Sequence, residues 1–68
     1  MTENRIKGER VNARLMQPDL AEKMGVTAQT ISNWESGKID PAGRKWAELS
    51  KEFGCSVDYL MGLTEERM

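Results

Sequence analysis

Residues 17–38 read QPDLAEKMGVTAQTISNWESGK, and the apolar positions in this stretch break phase once. Leu20, Ala21 and Met24 repeat at helical spacing, Gly25 interrupts, and Ile31 and Trp34 restart the pattern three residues apart. Two short helices joined by a tight turn satisfy this pattern. Helices that meet at a steep angle need a small residue at closest approach, which Ala21 supplies. Gly25 allows a positive φ at the corner without steric cost. Thr27 is placed to cap the second helix, its hydroxyl accepting from a backbone N–H two or three residues on. Gly37 is placed to end it.

The stretch resembles the helix-turn-helix of phage repressors, Cro proteins and related bacterial regulators, the lambda-repressor-like class. Leu20, Ala21, Met24, Gly25, Val26, Ile31 and Trp34 carry the resemblance, with Gln17 opening the first motif helix and Trp34-Glu35-x-Gly37-Lys38 closing the second. It extends through Arg5, Ile6 and Arg10 on one side and Pro41, Leu49, Gly54, Ser56 and Asp58-Tyr59-Leu60 on the other, so it covers nearly the whole chain. The resemblance implies an all-α, compact five-helix domain with a central helix-turn-helix. It also implies a sequence-specific transcription regulator that binds double-stranded DNA with the helix Ala28–Ser36 in the major groove.

Outside the motif, the same reading places helix one from about Glu3 to Ala13 or Arg14, with Ile6, Arg10 and Ala13 on its inward stripe. Gly8 in its middle predicts either a close packing contact or simple tolerance at about 1 kcal/mol relative to Ala. Leu15, beyond the helix end, can make up for the small Ala13. The second helix starts at Gln17 or Pro18, which suits a first turn, and Asp19 suits the same end. Met16 stands where the family commonly has a capping Ser, Thr or Asn, which leaves Gln17 as the candidate cap. The fourth helix spans about Gly43 to Phe53 with Trp46, Leu49 and Phe53 inward, and Gly54 stops it. Ser56 caps a short fifth helix, and the chain from about residue 64 reads as a frayed tail.

With 68 residues the chain holds one domain, 1–68, and a small core. Its sole cysteine, Cys55, cannot form an intramolecular disulfide and reads as a small buried hydrophobe; histidine is absent. No clustered ligands suggest a metal or cofactor, and no glycine-rich phosphate loop or activated nucleophile suggests an enzyme. The longest apolar run is the three residues Tyr59 to Met61, too short for a membrane span or a secretory signal. A cytoplasmic protein without a small-molecule ligand is the expectation. Trp34 and Trp46 sit on inward stripes and read as core aromatics. The five methionines, Met1, Met16, Met24, Met61 and Met68, read as gap-fillers and termini.

Charge cuts against a nucleic-acid partner at first sight, since ten basic and eleven acidic residues leave a net −1 and the pI is near 5.4. The distribution softens the objection. Residues 1–45 carry eight Lys/Arg against six Asp/Glu, whereas residues 46–68 carry two against five, so the acidic part is expected to face away from phosphate. A protein-interaction module of the same fold, whose second motif helix docks a partner protein, is the alternative that the low pI favours; an antitoxin that does both jobs is the other.

Individual roles follow from position. Taking Ile31 as inward, Gln29 falls near ~160°, Ser36 near ~140° and Asn33 near ~200° on the helix circle, so the outer face carries amides and hydroxyls without charge. Gln29, Asn33 and Ala28, with Thr27, Thr30 and Ser32 beside them, are the expected base readers; amides match adenine, and a small Ala28 suits a thymine methyl. Gln17, Ser36, Lys38 and the Gly43-Arg44 helix start are the expected phosphate contacts. Arg10 and Glu35 each lie about 40° from an inward Ile on their helix circles. They are opposite in sign, and the resemblance points to the same pairing, so a largely buried ion pair is expected. The resemblance places a homodimer contact near the fifth helix, where Tyr59, Leu60, Met61 and Leu63 offer apolar surface. A dimer on a palindromic operator follows from size, because one unit touches only a few base pairs.

Overall fold

Each of five helices sends one fully buried aliphatic side chain into a common centre, and those five residues define the architecture. In the computed structural model, which describes residues 4–68, α1 spans Ile6–Asn12, α2 Gln17–Met24, α3 Ala28–Ser36, α4 Gly43–Phe53 and α5 Val57–Met61. The five are Ile6, Leu20, Ile31, Leu49 and Leu60. Full burial of such a side chain is worth roughly 1.5–3 kcal/mol, so these five supply a large share of the stabilisation of a small domain. Ala21, Met24, Trp34, Trp46, Phe53 and Cys55 complete the core. Burial pushes the Cys55 thiol above its usual range, with the nearby Glu9 carboxylate adding to the effect.

The helix boundaries follow from local chemistry. Gly25, Gly37, Gly54 and Gly62 close α2 to α5 with φ between 67° and 83°, the left-handed region that glycine enters without a Cβ penalty. Thr27 Oγ1 accepts from Thr30 N–H at 3.1 Å, and Ser56 Oγ accepts from Tyr59 N–H at 3.0 Å, so both capping residues act as their sequence context predicts. The α2–α3 corner is sealed by Val26 N–H donating to Ala21 O at 3.0 Å. Lys45 Nζ donates to Met24 O at 2.7 Å, so α4 caps the last turn of α2.

Several sequence expectations need correction. α1 begins at Ile6 and ends at Asn12; Glu3 lies outside the described residues. Asn4 sets the start, because its Oδ1 accepts from Ile6 N–H at 3.1 Å while its Nδ2 donates to Trp34 O at 2.8 Å. Arg14 sets the end by adopting φ 62°, a left-handed conformation unfavourable for a residue with a Cβ. Leu15 N–H then donates to Arg10 O at 3.1 Å, and Leu15 packs on the core while Ala13 stays exposed. Gly8 is exposed and a Cβ there would meet nothing within 4 Å, so it is tolerated and makes no close contact.

The cap of α2 is Met16, in place of Gln17. The backbone N–H of Met16 donates to Asp19 Oδ2 at 2.8 Å, so the acidic residue in the first turn does half of what a capping box does. The Met16 side chain itself is 68% exposed and fills no gap; Met24 and Met61 pack on the core, Met68 is exposed, and Met1 lies outside the described residues.

The tail from residue 64 is pinned along the chain in place of the expected fray. Ser56 N–H donates to Arg67 O at 2.7 Å, Arg5 Nη1 donates to Thr64 O at 2.8 Å, and Arg67 Nη2 donates both to Glu9 Oε1 at 2.6 Å and to Phe53 O at 2.7 Å. Glu9 is 6% exposed. A buried carboxylate requires a partner, and the tail brings it one.

Candidate nucleic-acid interface

α3 divides by its own geometry into an inward and an outward face. Ile31 and Trp34 enter the core, while Gln29 and Ser36 are exposed and Thr30, Ser32 and Asn33 half-exposed. Thr27, at the cap, is exposed beside them. Ala28 is half-buried and packs against the core, so only part of its surface is available outside.

The polar groups on this face bond to one another. Gln29 Nε2 donates to Asn33 Oδ1 at 3.1 Å, Thr27 Oγ1 lies 3.0 Å from Thr30 Oγ1, and Ser36 Oγ donates to Asn33 O at 3.2 Å. The turn after α3 is held by Lys38 N–H and Ile39 N–H, which donate to the same Asn33 carbonyl at 3.0 and 3.3 Å.

Behind this face stands the pair that fixes α3 to α1. Arg10 Nε donates to Glu35 Oε2 at 2.6 Å and Arg10 Nη2 to Glu35 Oε1 at 3.3 Å, with side chains 9% and 5% exposed. Arg10 Nη1 donates to Leu15 O at 2.8 Å and Gln17 Nε2 to Glu35 Oε1 at 3.0 Å. Both charged groups thus have further partners, the condition for burying them tolerably. The network joins α1, the start of α2 and the end of α3.

Of the expected phosphate contacts, Gln17 is half-buried with its amide on Glu35, and Ser36, Lys38, Gly43 and Arg44 are exposed. No side chain caps α4, whose first residues are Gly43 and Arg44. A shallow groove beside α3 brings together Lys7, Gln17, Ser32, Glu35 and Ser36. Lys7 was not legible as a contact in the sequence, because its position on α1 says nothing of α3 until the fold sets the two side by side.

The fifth helix needs a correction. Leu60, expected at a dimer contact, is fully buried and completes the core. Five residues of helix cannot bury an apolar stripe without giving up one such position. Tyr59 is half-buried with the Arg5 guanidinium 4.2 Å over its ring centroid, Met61 packs partly on the core, and Leu63 is 70% exposed.

A helix pair with a left-handed glycine corner, an inward Ile-Trp stripe and an uncharged polar outer face defines a helix-turn-helix protein. The helix-turn-helix family profile matches residues 6–60, and the chain belongs to that family. It is 37% identical over 57 residues to the repressor protein C2 of Salmonella phage P22, covering 84% of this chain and 26% of that protein. An HTH-type transcriptional regulator of Methanocaldococcus jannaschii is 40% identical over 55 residues, covering 81% of this chain and 83% of the relative. The regulator DicA of Escherichia coli is 30% identical over 63 residues, covering 93% and 47%. The chain therefore spans about a quarter of the P22 protein and about half of DicA. A crystal structure of the P22 c2 repressor in complex with a synthetic operator superposes with a TM-score of 0.81 at 35% identity, over 88% of this chain and 91% of that one.

Proposed function

We propose that this chain is a transcription regulator, a repressor- or Cro-like protein that binds double-stranded DNA in a sequence-specific manner. The observation that carries the reading is the outer face of α3, where amides and hydroxyls stand without a charged residue on a helix anchored by the Arg10–Glu35 network. A merely solvated face would carry Lys and Glu; an uncharged hydrogen-bonding face suits the edges of bases. The likeness to the P22 repressor, whose solved structure contains an operator, supports the same reading.

In this reading α3 enters the major groove, with base readers drawn from Thr27, Ala28, Gln29, Thr30, Ser32 and Asn33. Ser36, Lys38, Gly43, Arg44 and Gln17 flank the groove and position the protein on phosphates. The chain acts as a single domain, without a cofactor, in the cytoplasm, where chromosomal or phage DNA is accessible. It binds as a homodimer on a palindromic operator, with Leu63 and the outer parts of Tyr59 and Met61 at the contact.

Binding of duplex from a random pool, followed by titration against salt, tests this. Recovery of a symmetric motif, with affinity falling linearly in log–log form as salt rises, is the expected result. Failure to bind any duplex at low salt would replace the reading with a protein-interaction module, and a strictly 1:1 complex on a palindrome in the ultracentrifuge would remove the dimer.

A further inference from the structure

The outer face of α3 offers six candidate readers, and the structure engages most of them elsewhere. Thr27 and Thr30 hydroxyls face each other at 3.0 Å, and Thr27 Oγ1 is also occupied as the helix cap. Ala28 gives part of its surface to the core. Ser32 lines the groove with Lys7 and Gln17, on the side assigned to backbone contacts. Gln29 and Asn33 remain, and they are hydrogen-bonded to each other, Nε2 to Oδ1 at 3.1 Å.

We infer that Gln29 and Asn33 act as one reading unit, in which the bond between them fixes the orientation of both amides and so sets which bases are accepted. This rests on the proposed DNA-binding function and specifies its chemistry. Residues four apart share a helix face, so the bond is available wherever α3 forms. A primary amide has two N–H groups and one carbonyl oxygen. With one Nε2–H committed to Asn33, Gln29 still holds Oε1 and a second N–H side by side. That couple matches the N6–H donor and N7 acceptor of adenine. Asn33 is left in a different state. Its Oδ1 already accepts from Gln29 and keeps one lone pair on the side Gln29 leaves open, whereas both Nδ2 hydrogens are uncommitted, so its main offer to a base is the Nδ2 donor. Such a donor suits the acceptors thymine O4, guanine O6 and N7 and adenine N7, and it disfavours cytosine, whose N4 is itself a donor. An isolated asparagine would rotate its amide and accept either class; here Gln29 removes that freedom.

The test uses the full 68-residue chain with the duplex recovered from a random pool and its single-base-pair variants. Four proteins are compared with the wild type: Gln29→Ala, Asn33→Ala, Asn33→Asp and the Gln29→Ala/Asn33→Ala double variant. The wild type is expected to prefer adenine at the Gln29 position by about 5- to 150-fold, the range of one good two-bond contact. Asn33→Ala is expected to lower that adenine preference several-fold, although Asn33 does not touch the adenine. At this position the double variant should be no less selective than Gln29→Ala alone. Asn33→Asp keeps an acceptor for Gln29 and should retain the adenine preference while losing selectivity at its own base. Both side chains lie on the surface, so the thermal midpoints of all variants serve as the control for folding. An adenine preference unchanged in Asn33→Ala would overturn the coupled unit and leave two independent readers. Duplex binding by the wild type without base preference would overturn it too, while leaving DNA binding standing; absence of duplex binding at low salt is the separate outcome that removes the proposed function.

Discussion

Arg67 Nη2 stands 2.6 Å from Glu9 Oε1, joining two residues 58 positions apart in the chain. Glu9 has a side chain only 8% exposed, so its carboxylate depends on this guanidinium for compensation, while Arg67, at 48%, keeps one side in solvent. Arg67 also holds the Phe53 and Gly54 carbonyls, at 2.7 and 3.3 Å, closing the end of α4. Arg67→Ala is therefore expected to destabilise the domain, mainly by leaving the buried Glu9 carboxylate without its partner. Urea titration measures it. A midpoint equal to that of the wild type would show that residues 64–68 fray in solution.

The second ion pair is buried on both sides and should cost more to break. Arg10→Met leaves Glu35 in the core with only the Gln17 amide, and a loss of roughly 3–5 kcal/mol is expected. Glu35→Gln retains an acceptor for Arg10 but removes the countercharge, so it should also lower the thermal midpoint by several degrees. If both variants melted within a degree or two of the wild type, the network would not be what holds α3 against α1.

Arg14 is the non-glycine residue with positive φ among the described residues, at 62°. The left-handed region costs a residue with a Cβ roughly 1–2 kcal/mol. Part of this returns when glycine replaces it, the remainder being offset by glycine's greater freedom in the unfolded chain. Arg14→Gly is thus expected to stabilise the fold by about 0.5–1 kcal/mol, read as a rise in melting temperature. A fall would mean that the arginine side chain supplies something the backbone argument leaves out.

On the interface, Lys38 and Gln29 should separate in kind. Lys38→Ala, at an exposed position next to the close of α3, is expected to weaken binding to the preferred duplex and to random DNA alike and to reduce the salt slope by about one. Gln29→Ala should cost roughly 1–3 kcal/mol on the preferred duplex and almost nothing on random DNA. Filter binding at two salt concentrations distinguishes them, and equal losses on both DNAs for Gln29→Ala would move that residue from reading to positioning.

What the sequence determined by itself is local and periodic. The inward stripes of α2, α3 and α4, the left-handed glycines at positions 25, 37 and 54, and the capping hydroxyls of Thr27 and Ser56 all depend on neighbours within a turn or two, and all stand where the spacing puts them. The Arg10 and Glu35 stripes were legible for the same reason. Apart from the Arg10–Glu35 pair, to which the family resemblance pointed, contacts between distant segments were decided only by the tertiary structure. Glu9 reads as a surface acid until the tail crosses it, Lys7 as a surface lysine until α3 lies alongside, and Leu60 as a dimer contact until α5 docks it in the core. Arg14 is equally opaque, since a closing turn that uses arginine carries no glycine to announce it. Helical period and capping are short-range physics written in a few adjacent residues, whereas the partner of a buried charge is chosen by which segments pack together, and that choice is made by the whole core at once.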